Sequence, residues 1–117
     1  MLACIMQITQ TKMEPDITVL ALTGRLTLGR EGQAFEAALD ELIGEGNRKF
    51  ILNLKELDYL DSAGLGMIIG SVGKVQKAGG GLRVAHVGSR VMQVLKLTRT
   101  DAILPLDADL AAAAAKL

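Results

Sequence analysis

The chain has 117 residues, half of them hydrophobic, with 13 basic and 13 acidic side chains that cancel to a formal charge of zero. That length suits one domain, spanning 1–117, that buries roughly two-thirds of its unfolded surface without needing a metal or disulfides. Charge balance and only three aromatic residues, Phe35, Phe50 and Tyr59, argue against nucleic acid as a partner, because its binders carry a basic surplus and stacking rings.

Met1 to Met6 is apolar but short and has no basic flank, so it reads as strand rather than secretion signal. Cys4 is the only cysteine, which rules out an internal disulfide and points to a reducing, cytoplasmic compartment. Leu2-Ala3-Cys4 has the look of a lipoprotein processing site but lacks a preceding signal peptide, and Cys4 reads better as a packed strand residue than as a reactive thiol. Ala3 to Thr9 is the first expected strand, and Pro15-Asp16 marks a turn. Ile17 to Thr23, rich in β-branched residues, is the second strand. Gly24 and Gly29 then bracket a loop holding Arg25, Leu26, Thr27 and Leu28.

From Glu31 the period changes. Phe35, Ala38, Leu39, Leu42 and Ile43 fall on one helical stripe, which Gly44 and Gly46 end. Phe50 to Leu54 is a nearly continuous apolar run, as in a central strand covered on both faces. A loop, Lys55 to Leu60, leads to a second helix from Ser62, with Leu65, Ile68, Ile69, Val72 and Gln76 as its stripe and Gly79-Gly80-Gly81 as its stop. Leu82 to Val87 is the next strand. Ser89 is a plausible N-cap for a third helix that turns Val91, Val94 and Leu95 inward. Ala102 to Leu106 is a short strand, placed at an edge or strand end by Pro105, and the Ala-rich stretch Asp107 to Leu117 closes the chain as a helix. The order β-β-α-β-α-β-α-β-α implies a single α/β domain. Its sheet has four to five mostly parallel strands, with the first strand antiparallel to the second, and about four helices cover it. No apolar run approaches the roughly 20 residues that span a bilayer, so no membrane is expected.

The informative stretch is Asp61-Ser62-Ala63-Gly64-Leu65-Gly66 at the start of the second helix. On one reading the Ser62 hydroxyl simply caps the helix by accepting from a free amide. On another it is a modification site. A helix N-terminus favours negative charge by about 0.3–1 kcal/mol, and a phosphate would add between about −1.5 and −2 charges there. That offsets part of the repulsion from Asp61, so the fold tolerates the group while a docked partner does not. Gly66, Gly70 and Gly73 share one stripe, where glycine costs up to about 1 kcal/mol each relative to alanine. Either close packing inside the domain or a partner docking on that face would account for them.

The hexapeptide resembles the signature of STAS domains in bacterial anti-sigma-factor antagonists. Ile51-Leu52-Asn53-Leu54 before it, Gly79-Gly80 after it, and the Val91 to Leu95 helix leading to Leu97 match as well, so the resemblance runs from about Ile17 to Leu106. It implies a STAS-like fold and a binding switch rather than an enzyme. In that family an anti-sigma factor with kinase activity phosphorylates the serine, the unmodified antagonist sequesters that kinase, and a phosphatase reverses the mark. By position, Ser62 is the implied phosphoacceptor and Asp61 its acidic neighbour. Arg25, Thr27, Asp61, Ala63, Gly64, Leu65 and Gly66 are the implied partner contacts, in a monomer or weak dimer without cofactors. Many members carry an aspartate where this chain has Thr27 in Gly24-Arg25-Leu26-Thr27, so a hydroxyl stands in place of a carboxylate. The alternative is a STAS subunit with a structural role in a lipid-transport or stress-signalling assembly, bound regardless of Ser62 state.

Other chemistries fit less well. Gly64-x-Gly66-x-x-x-Gly70 mimics a dinucleotide fingerprint, but the next strand end offers His86 and Ser89 rather than an acid for a ribose hydroxyl. Gly79-Gly80-Gly81 lacks the Gly-Lys-Ser/Thr of a P-loop. Ser62 is in no Gly-x-Ser-x-Gly elbow, although His86, the only histidine, belongs to a neighbouring strand end. No group of carboxylates with His or Cys has metal-ligand spacing.

Overall fold

In the computed structural model, which describes residues 6–117, Gln7–Met13 (β1) and Ile17–Leu26 (β2) form an antiparallel hairpin around Pro15. Lys49–Asn53 (β3), Leu57–Leu60 (β4), Gly81–Ala85 (β5) and Leu106–Asp107 (β6) add parallel pairs. The helices are Arg30–Gly44 (α1), Ser62–Lys77 (α2), Ser89–Leu97 (α3) and Leu110–Ala114 (α4). The sheet runs β1-β2-β3-β5-β6, with β4 added beside the end of β2. It is an α/β sheet, mostly parallel with one antiparallel pair, and β4 brings it to six strands.

Strand alternation divides the core in two. Leu20 and Leu22 of β2, Phe50 and Leu52 of β3, and Val84 of β5 face the main core, which Phe35, Leu39, Ile68, Val91 and Leu95 of the helices complete. Ile17, Val19, Ile51 and Ala85 point the other way, where Ala113 packs on them with Leu110 and Leu117 alongside. This is why Phe50 to Leu54 lacks polar alternation: β3 is covered on both faces. Asp107 pins the second layer. Its carboxylate takes Arg83 Nε at 2.7 Å, Arg83 Nη2 at 3.1 Å and Lys116 Nζ at 2.7 Å. The Arg83 hydrogen bonds, followed by the Lys116 contact, hold this shielded carboxyl below the usual range against the opposing effect of burial.

Several boundaries differ from the sequence reading. The first strand begins at Gln7 and runs to Met13 instead of ending at Thr9, and Ala3 to Ile5, with Cys4, lie outside the described residues. β2 does not end at Thr23: Gly24, Arg25 and Leu26 continue it, because β4 supplies a second neighbour after β3 has ended. The segment Lys55 to Leu60 is accordingly not all loop. Asn53 Oδ1 accepts the Lys55 amide at 3.1 Å and turns the chain into β4. The inward face of α2 is Gly64, Leu65, Ile68, Ser71 and Val75, with Gln76 exposed. Ser71 escapes notice in the sequence because a buried hydroxyl looks polar; here Oγ donates to Ile68 O at 2.6 Å. Ser89 is the first residue of α3 rather than its cap, and Gly88 precedes it without a side-chain cap. Ala102 to Leu106 is not one strand: a 3-10 turn, Thr100–Ala102, precedes the two-residue β6, since Pro105 removes a ladder donor. The closing helix is only Leu110–Ala114, capped by Asp109, whose Oδ1 accepts from the Ala112 amide at 2.8 Å.

Candidate functional site

The extension of β2 and the added β4 bring Gly24–Leu26 alongside Leu57–Leu60, so the start of α2 emerges beside the β2–α1 loop. Asp61 joins the two. Its backbone is extended and caps α2: Oδ1 accepts the Gly64 amide at 2.7 Å. Oδ2 accepts the Leu28 amide at 3.2 Å, and the Asp61 amide donates to Leu26 O at 3.3 Å. The Gly64 amide, then those of Leu28, Ala63 and Asp61 itself, hold this carboxyl below its ordinary value against some desolvation.

Because Asp61 is the cap, Ser62 is not. Ser62 is the first helical residue and is exposed, and among the described residues its hydroxyl makes no hydrogen bond. The capping role that the sequence allowed for Ser62 belongs to its neighbour, and this frees the hydroxyl for solvent. The amide end of α2 meanwhile favours negative charge at this point.

The other implied contact residues divide by burial. Arg25 and Gly66 are exposed, and Thr27 and Ala63 are half-buried. Gly64 and Leu65 are buried: they hold α2 against the sheet and present no surface to a partner. A Cβ on Gly64 would strike the Leu26 carbonyl, which makes this glycine a packing requirement. Gly66, Gly70 and Gly73 are the opposite case: among the described residues, and apart from the local helix backbone and chain neighbours, no atom lies within 4 Å of a Cβ built on any of them. Internal packing therefore does not explain that stripe.

Two exposed apolar groups border the site, and sequence reading did not single them out. Leu28 is 74% exposed and Tyr59 43% exposed. The Arg25 guanidinium lies 4.5 Å from the centre of the Tyr59 ring. Both residues line a cleft of about 470 Å³ between β4 and α3, with Arg90, Gln93 and Val94 opposite. Tyr59 was hidden in the sequence because it lies in β4, read there as loop.

His86 sits just after β5 with a left-handed φ of 58° and makes no hydrogen bond to Ser62 among the described residues. No group of three His, Cys, Asp or Glu side chains able to hold a metal occurs among the described residues. No described helix is long and apolar enough to cross a membrane.

Comparison with known proteins gives a consistent picture. The model of the STAS domain matches residues 9–113. A Thermotoga neapolitana protein provisionally named an anti-sigma factor antagonist is 26% identical over 95 residues, covering 81% of this chain and 84% of its own. The anti-sigma-B factor antagonist of Bacillus subtilis is 33% identical over 55 residues, 47% of this chain and 50% of its own. Among solved structures, a Thermotoga maritima protein provisionally described as an anti-sigma factor antagonist superposes with a TM-score of 0.81 at 24% identity, over 93% of this chain and 92% of its own.

Proposed function

The chain belongs to the STAS domain family, and from this premise we propose that it is an anti-sigma-factor antagonist working as a phosphorylation-controlled binding switch, not as an enzyme. With Ser62 unmodified it sequesters an anti-sigma factor that has kinase activity. With Ser62 phosphorylated it lets that partner go, and a phosphatase restores the binding form. The names of its Thermotoga and Bacillus relatives support the antagonist role.

One observation carries the switch: Asp61 takes over the cap and leaves an exposed serine hydroxyl without a partner at the amide end of α2. A phosphate there would add about −1.5 to −2 charges. The helix end offsets part of its repulsion from Asp61, by about 0.3–1 kcal/mol. The fold then survives modification, and the penalty falls on whatever surface is pressed against Ser62. The open stripe Gly66, Gly70 and Gly73 lets a partner approach the α2 backbone closely, with exposed Leu28 tied to Asp61 beside the helix start. Thr27 contributes a hydroxyl to the same edge.

The test is incubation with the cognate kinase and ATP, followed by phosphate mapping by mass spectrometry and binding assays on variants. Phosphate should map to Ser62. Ser62→Ala should keep the complex and Ser62→Asp should weaken it. Modification elsewhere, or equal affinity of all three forms, would refute the switch. A stable complex indifferent to Ser62 would point instead to a structural subunit of a larger assembly.

A further inference from the structure

The sequence treats the two edges of the sheet differently. At one edge β6 is two residues long and follows Pro105, so it offers almost no ladder to a stranger. At the other, β1 is seven residues long, Gln-Ile-Thr-Gln-Thr-Lys-Met, without proline and with five of the seven exposed. Native sheets usually guard such an edge with outward charge. The only charge here, Lys12, is drawn inward: Nζ donates to Thr18 Oγ1 at 2.9 Å and to Asn47 Oδ1 at 2.6 Å. Thr18 lies on β2 directly opposite Lys12, on the side away from the free edge. Among the described residues nothing pairs with the outer side of β1.

We propose that β1 pairs with β1 of a second copy of this chain, antiparallel about a two-fold axis through Gln10, joining two sheets edge to edge. This goes beyond the switch, which the pairing neither requires nor uses. The register follows from the strand itself. Gln10 is the middle of Gln7–Met13, so only this axis pairs all seven residues of each strand. It sets Thr9 opposite Thr11 of the second copy, a favourable cross-strand pair, and Lys12 opposite Ile8, so no like charges face each other. An axis at Lys12 would oppose two ammonium groups. The strand carries no net negative charge or alternating charge pattern that would select a foreign segment, whereas its own sequence complements itself. A two-fold pairing also closes, giving a dimer rather than a fibre.

Sedimentation equilibrium of the full chain, with native mass spectrometry, tests the register. The wild type should approach the mass of two chains as concentration rises. Thr9→Lys combined with Thr11→Lys puts ammonium against ammonium at both symmetric positions and should weaken association at least about ten-fold. Thr9→Glu combined with Thr11→Glu should do the same. Mixing the two double variants should restore a dimer with one chain of each, since every introduced lysine then faces a glutamate. Circular dichroism matching the wild type shows that both variants are folded. A wild type of single-chain mass up to about 1 mM overturns the proposal. So does a lysine variant that dimerises like the wild type, or a mixture that stays monomeric.

Discussion

Gly64 abuts the carbonyl oxygen of Leu26 so closely that no side-chain carbon fits between α2 and β2. Gly66, two residues on, faces open space. The two glycines of one motif should therefore respond oppositely to alanine. Gly64→Ala pushes the helix off the strand and should cost about 1–3 kcal/mol or more. Gly66→Ala relieves a helix of an unfavourable residue and should stabilise by up to about 1 kcal/mol. Urea unfolding of both variants measures the contrast, and equal destabilisation would show that Gly66 is packed after all.

Ser62→Asp should leave the fold intact. The position is exposed and lies in the first turn of α2, where a carboxylate meets the helix dipole rather than a buried wall. A change within about 0.5 kcal/mol is expected. If thermal unfolding instead shows a large loss, weakened partner binding by this variant would reflect unfolding rather than charge.

Asp61→Ala removes the cap of α2 and the tie to Leu28 together. The stability loss should be about 0.5–2 kcal/mol. Its signature should be local. Amide exchange should accelerate at Gly64 and Leu28 more than in β3 or β5, and uniform acceleration would argue against a bridging role.

Acid should erode stability through two carboxylates. Asp61 and Asp107 both have folded values held below ordinary ones, the first chiefly by the Gly64 amide and the second by Arg83. A depressed folded value means a contribution that is complete above the unfolded value of about 4 and vanishes as pH falls through the folded value. Urea midpoints should thus be flat near neutrality and fall below about pH 4. Asp107→Asn should lower the neutral plateau and flatten the acid limb, and an unchanged limb would assign the pH dependence to other groups.

How much of this could be read from the sequence depended on whether the signal was periodic or local. Helix α1 was plain because Phe35, Leu39 and Leu42 repeat at helical spacing and are buried. The central strand was plain because being covered on both faces leaves an unbroken apolar run. β4 was not, because a four-residue strand with Asp58 and Tyr59 exposed has the composition of a loop, and only its pairing with Gly24–Leu26 makes it strand. The motif at 61–66 was legible as a helix start, but not which residue did which job. Aspartate and serine are equally good caps by type, and only the backbone decides that Asp61 takes the role and Ser62 is released from it. The glycines likewise look alike in one dimension, and the neighbour at Leu26 separates Gly64 from the rest.

The roof over the second face of the sheet is a single five-residue helix, too short to hold its shape in isolation. What keeps it seated is Ala113, flanked by Leu110 and Leu117, and the grip of Arg83 and Lys116 on one acid. A cover this small should open ahead of the sheet, with the α4 amides exchanging faster than those of β3. The domain thus has one deep side and one thin side.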